Sequence, residues 1–206
     1  MKNKISKDRK RNAKYRKPKK VILVAYEGDN KTEKNYLDNF KSRDKPYRII
    51  KVPGNETDSV SLVEQTAKKV KKEDLDLSSY DEAYCIFDTD AKKEKAKEIE
   101  KAINLSKKKK IIPIVSTPCI ELWFLLHYEL TTAELTNKSV IEKLKTHCNK
   151  YDKNYDIYND IKSNASKAIE NAKKLEKYQI ENGKKLQSIE ANPYTEMYKL
   201  VEELIK

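Results

Sequence analysis

Acidic residues stand where apolar runs stop. VILVAY (21–26) ends at Glu27-Gly28, AYCIF (83–87) at Asp88-Thr89-Asp90, and IIPIV (111–115) at Ser116. Carboxylates held close together repel, and each raises the proton affinity of its neighbour. A divalent cation relieves that conflict, and hard oxygen ligands suit magnesium or manganese better than zinc. Asp88 and Asp90 point to opposite faces of an ideal strand. A shared ion therefore requires the strand to end at Asp88 and the following turn to bring Asp90 round. Glu27 is then either a third oxygen ligand or the base that deprotonates water. Glu33 is the next candidate, although a first-turn carboxylate is also favoured simply by the helix dipole. A turn after a strand is the ordinary reading of Asp-x-Asp by itself; three such strand ends together point to a metal site.

Those side chains converge only if the elements carrying them are parallel neighbours. VILVAY and AYCIF are continuous rather than alternating apolar runs, as expected of strands buried on both faces. RIIKV (48–52) reads as a shorter strand stopped by Pro53-Gly54. Pro113 within IIPIV cannot donate to a ladder and favours a sheet edge or a bulge. Between these runs, Thr32 is placed to cap a helix bearing Tyr36, Leu37 and Phe40. A second helix over 59–74 aligns Val60, Val63, Ala67 and Val70, and a third turns Ala96, Ile99, Ala102 and Ile103 inward with its charges facing water. Alternating strands and helices predict an α/β fold with a mainly parallel sheet, whose carboxyl strand ends form the ligand-binding edge.

The later sequence is helical in pattern. CIELWFLLHYEL (119–130) is apolar nearly all round, which predicts an enclosed helix. Further amphipathic helices carry Val140, Ile141, Leu144 and Cys148; then Ala165, Ala168, Ile169, Ala172 and Leu175; and finally Met197, Leu200, Val201, Leu204 and Ile205. Residues 149–160 read as a connecting loop. The expected organisation is a basic arm (1–19), an α/β core (20–118) and a helical extension packed on it (119–206).

Charge is distributed unevenly along the 206 residues. The formal charge is +12, but residues 1–20 hold eleven basic side chains against Asp8 and so carry +10, leaving +2 for the rest. The body is nearly neutral, and the arm, with Lys10, Arg11, Lys14, Arg16 and Lys17, is either a phosphate-seeking, nucleic-acid-binding tail or a solvated leader with no specific role. No apolar run approaches the roughly 20 residues needed to span a bilayer, so a cytoplasmic protein with no membrane partner is expected. Three widely spaced cysteines, Cys85, Cys119 and Cys148, argue against a disulfide framework. The His147-Cys148 pair has no second pair to complete a zinc tetrahedron.

At the acidic positions the sequence resembles a known family. AYEGDNKTEKNYLDNF resembles the E-G-x-T-E region, and CIFDTD the D-x-D strand end, of the Toprim fold shared by topoisomerases, primases and OLD-type nucleases. STPCIELWFLLHYE and NPYTEMYKLVEEL are similar to the RloB family of bacterial defence proteins, grouped with abortive-infection proteins of the AbiLii type. The resemblance implies a Toprim-like sheet with appended helices, magnesium-dependent phosphodiester cleavage of RNA or DNA, with manganese as a substitute ion, and a partner ATPase in antiphage systems. Carried over by position, Glu27 is the general acid or base and a ligand, and Asp88 and Asp90 hold the metal. Glu33 matches the second glutamate, with a loop about one residue longer than usual before it, while Ser116 and Glu121 fall beside the ion. A carboxylate such as Glu121 in an apolar segment needs a cation or donors. His127 either meets the leaving group or satisfies a core hydrogen bond. The competing reading is a non-catalytic nucleic-acid-binding or sensor subunit that works with the ATPase, and oligomerisation is compatible with both.

Overall fold

The computed structural model describes residues 19–27, 31–53 and 58–206. Its centre is a five-stranded sheet in the order β2-β1-β3-β4-β5, formed by β1 (Lys20–Tyr26), β2 (Tyr47–Pro53), β3 (Glu82–Asp88), β4 (Ile112–Thr117) and β5 (Tyr194–Thr195). The first four strands are mutually parallel and β5 is antiparallel to β4. The α/β class, with a mainly parallel sheet, is as expected.

The unbroken apolar runs follow from burial on both faces. Along β1, Ile22, Val24 and Tyr26 enter one core while Leu23 and Ala25 enter the other. Along β3, Tyr84 and Ile86 join the first core, and Ala83, Cys85 and Phe87 the second. Helices α2 (Ser59–Lys72) and α3 (Ala96–Lys108) cover the second core with Leu62, Val63, Ile99, Ala102 and Ile103. Asp58 caps α2 by accepting from the Val60 and Ser61 amides. The first core lies under α1 (Lys31–Asp38), α4 (Glu121–Leu125), α5 (Asn137–His147), α7 (Ala165–Glu181) and α8 (Met197–Ile205), with the short α6 (Tyr158–Ile161) at its margin. Residues 119–206 therefore supply both most of one helical layer and the fifth strand.

Several local expectations are revised. Thr32 lies inside α1 instead of capping it, and its hydroxyl donates to the Lys153 carbonyl at 3.1 Å. The 119–130 segment is helical only over α4, because the chain then tightens: the His127 amide bonds the Phe124 carbonyl and the Tyr128 amide bonds the Leu125 carbonyl, three residues back in each case. Ile205 is 46% exposed at the end of α8. Glu98, among the α3 charges expected to face water, accepts the Ser59 amide at 2.8 Å.

Pro113 sits where its missing donor costs little. It pairs with Cys85 on one side, while β5 reaches only Ser116 and Thr117 on the other. Beyond β5, the buried Glu196 carboxylate accepts the Val115 amide at 3.1 Å and the Glu196 amide bonds the Val115 carbonyl. The proline thus occupies an edge portion of an otherwise interior strand.

Candidate active site

At the carboxyl ends of β1 and β3 a cavity of about 150 Å³ is lined by Glu27, Glu33, Asp88, Asp90 and Glu121, together with Thr32, Lys95, Cys119, Ile120, Asn137, Ile141 and Lys153. Five of the acidic residues singled out in the sequence thus meet in one place. Parallel strands bring Glu27 and Asp88 to the same edge, α1 supplies Glu33, and α4 supplies Glu121 from the first turn after β4. The hydroxyls and carboxyls expected around them divide differently. Ser116 pairs in register with Asp88, but its hydroxyl is hydrogen-bonded to Thr195 at 2.9 Å and it does not line the cavity.

Asp90 arrives by the turn that the sequence required. The Thr89 amide donates to the Ser116 carbonyl and the Asp90 amide to the Pro118 carbonyl, while Asp90 and Ala91 adopt left-handed backbone angles. Aspartate tolerates that region because its short polar side chain can bond locally. Its Oδ1 accepts from Asn137 Nδ2 at 2.7 Å, and its Oδ2 meets Lys95 Nζ at 2.8 Å. Burial alone would raise the Asp90 pKa, but Lys95 and Asn137 outweigh it and hold the carboxyl below its ordinary value.

Asp88 is in the opposite condition. Burial, then the charges of Glu33 and Glu121, push its pKa well above the ordinary carboxylate range, with the Ile120 amide as the opposing donor. Its Oδ1 is buried with no hydrogen-bond partner. A buried acceptor without a donor is costly, and at a strand-end cluster it calls for a cation or a proton.

Glu27 is held on its strand end by Ser59, whose hydroxyl donates to Oε1 at 2.6 Å, and its Oε2 lies 3.9 Å from Lys95. Burial raises its pKa, Ser59 and Lys95 pull it down, and Glu98 and Asp90 push it up again; the net direction is upward. Glu121 is 4% exposed, and its Oε1 accepts the Tyr151 hydroxyl at 3.1 Å. The Cys119 thiol also bonds Glu121, and burial together with the Glu121 and Asp88 charges keeps that thiol protonated.

The donor set suits a hard divalent ion: every candidate ligand is a carboxylate, and the orphaned Asp88 oxygen marks where a cation would be stabilised. Among the described residues no three His, Cys, Asp or Glu side chains are already drawn together into a coordination group. Glu33, Asp88 and Glu121 are the residues that would close on an ion.

His127 lies elsewhere. Its Nδ1 is 2.9 Å from the Trp123 carbonyl, its ring packs edge-on to Trp123, and it lines a separate 50 Å³ cavity with Tyr36 and Phe40. Burial lowers its pKa to about 4, so it is neutral near pH 7. This geometry fits the core hydrogen bond and leaves the leaving-group role without a place in the acidic cavity. Lys10, Arg11, Lys14, Arg16 and Lys17 lie outside the described residues. Cys148 is buried, and His147 meets Glu129 at 3.2 Å.

Sequence reasoning missed Ser59, Lys95, Asn137 and Tyr151. Tyr151 falls in the stretch expected to be only a connector, and its one warning was aromatic content unusual for a solvated loop. Lys95 is hidden in a run of lysines, where nothing in the composition distinguishes it.

Among the described residues no helix is long and apolar enough to cross a membrane. Neither a curated protein nor a solved structure matches the chain. The family model described as RloB-like protein matches residues 22–204, a span that takes in all of the sheet but the first two residues of β1 and every residue of the acidic cavity, and the chain belongs to the RloB-like family.

Proposed function

We propose that this RloB-like protein is a magnesium-dependent phosphodiesterase that cleaves RNA or DNA, acting in antiphage defence or abortive infection alongside a partner ATPase. The observation that carries this reading is the buried, unpartnered Asp88 oxygen facing Glu33 and Glu121 at the carboxyl edge of a parallel sheet. Asp88, Glu33 and Glu121 would hold the ion. A divalent ion there would polarise a phosphoryl oxygen and offset developing charge. Glu27 is the proton acceptor for the attacking water: its raised pKa makes it a better base than an ordinary glutamate, and Ser59 fixes which oxygen faces the cavity. Lys95, beside Asp90 and Glu27, offsets the repulsion between those two carboxylates.

The test is incubation of the purified chain with RNA and DNA in magnesium, manganese or EDTA. Cleavage that EDTA abolishes, and that Asp88→Asn and Glu27→Gln each reduce at least about a hundredfold, is the expected result. Metal-dependent cleavage unaltered by both substitutions would reject the site.

A second reading, a nucleic-acid-binding or sensor subunit, is favoured by a cleft of about 410 Å³ lined by Lys19, Lys41, Arg43 and Arg48 with Tyr47 and Ile49. It lies by the amino-terminal ends of β1 and β2, away from the acidic edge. Under that reading Asp88→Asn leaves association with nucleic acid intact and no cleavage is seen with any metal.

A further inference from the structure

Lys95 enters the cavity from a 3₁₀ turn (Lys93–Lys95) that leads into α3. It is the cation shared by two of the five carboxylates, 2.8 Å from Asp90 Oδ2 and 3.9 Å from Glu27 Oε2. The remaining oxygens of that pair are also taken: Asp90 Oδ1 by Asn137 and Glu27 Oε1 by Ser59. All four oxygens of Glu27 and Asp90 therefore face a donor or a cation from the protein itself. The Asp88 Oδ1 atom has none.

The two halves of the cavity thus differ in what they lack. A pair of divalent ions about 4 Å apart needs open carboxylate oxygens on both sides of a bridging ligand. Here one side holds an ammonium, and Asn137 and Ser59 take the other oxygens of its two carboxylates, leaving the Asn137 amide oxygen as the one buried acceptor there without a partner. Lysine suits the position because it is a compact point charge with three donors on a flexible stem.

We infer that the Lys95 ammonium occupies the place of a second divalent ion, so that the cavity takes a single metal ion per chain, at Glu33, Asp88 and Glu121. The inference rests on the metal-site reading above and adds to it the number of ions and the residue that fixes that number. It also gives the two aspartates different roles, Asp90 holding Lys95 while Asp88 faces the ion.

The experiment counts manganese bound to the full chain, stripped of metal beforehand, by equilibrium dialysis with elemental analysis and by manganese electron paramagnetic resonance. The wild-type chain should saturate at one ion. Lys95→Met, which removes the charge but keeps the length, should saturate at two, with the spin–spin broadening of a close pair. Lys95→Arg keeps a cation and should stay at one. Two ions in the wild-type chain, or a single ion in folded Lys95→Met, would overturn the inference, and should Lys95→Met fail to fold, the wild-type count still decides. No bound ion in the wild-type chain, or a count unaffected by Asp88→Asn, would instead bring down the metal-site reading itself.

Discussion

Replacing Asp88 by asparagine should make the metal-free protein more stable. The side chain keeps its size and an acceptor for the Ile120 amide but loses the charge that Glu33 and Glu121 oppose. Glu33 and Glu121 line the same small cavity as Asp88, and at an effective dielectric constant near 20 a like charge about 7 Å away repels by about 2 kcal/mol. Two such neighbours give about 4 kcal/mol. Protonation sets an independent ceiling, because at pH 7 a carboxyl with an unfolded pKa of about 3.9 escapes the repulsion by binding a proton at a cost of about 4 kcal/mol. The bounds agree, and the weakened bond from Ile120 offsets about 1 kcal/mol. The expected gain is about 2–3 kcal/mol, or roughly 4–12 °C in melting temperature for a chain of this size.

The sign with pH follows from the raised pKa. Below about pH 4 Asp88 is protonated in both folded and unfolded chains, and its penalty is absent. Above that, the penalty grows by about 1.4 kcal/mol per pH unit until the folded group ionises. The advantage of Asp88→Asn in EDTA should therefore widen between pH 5 and pH 8. Added magnesium should raise the melting temperature of the wild-type chain by mass action and leave that of the variant nearly unmoved. Thermal unfolding followed by circular dichroism measures all of this. A variant less stable than wild type in EDTA, or one that keeps the full magnesium shift, would refute the reasoning.

Three further outcomes are expected. Ser59→Ala removes the donor to Glu27 Oε1 and raises the Glu27 pKa further, so the acid limb of the pH–rate profile should move to higher pH, and an unmoved limb would remove Glu27 from the role of base. His127, neutral in the fold with a pKa lowered to about 4, must take up a proton on unfolding below about pH 6.5. Stability should fall by about 3 kcal/mol as pH drops from 6.5 to 4, and the slope specific to this residue should vanish in His127→Phe, with cleavage changed less than about twofold. Deleting residues 1–18 removes nine basic side chains and Asp8, and should weaken nucleic-acid association and flatten its salt dependence by several units of slope while the melting temperature stays put; binding unchanged across a salt titration would deny the arm that role.

The strands that carry the acids were legible because burial on both faces leaves a signature in a single line of sequence: β1 and β3 can tolerate no polar residue over five consecutive positions, and their first acids mark where the sheet ends. The same logic placed Glu27 and Asp88 at one rim. Asn137 and Tyr151 could not be found that way. Asn137 reaches Asp90 across 47 residues and Tyr151 reaches Glu121 across 30, and such pairings are fixed by how the helices over the first core stack, which no local period encodes. Lys95 is a different failure. Helical spacing correctly turned Ile99, Ala102 and Ile103 inward, but residue 95 precedes α3, and a position outside the helix is not subject to its periodicity. His127 shows the limit of residue type as a guide, since an imidazole in an apolar stretch serves the Trp123 carbonyl as readily as a reaction.

The two-residue strand β5 has a temporal consequence. Thr195 bonds Ser116 across 79 residues of chain, and Glu196 closes the edge of β4 beside it. A ribosome therefore completes β4 long before it makes the segment that seals that strand and packs β5 against α4. During that interval the wall bearing Glu121 lacks its backing, so under the proposed function a nascent chain would stay inactive until the seal is made. If the acidic cavity cleaves nucleic acid as proposed, such a delay would protect the very transcript and ribosome producing it.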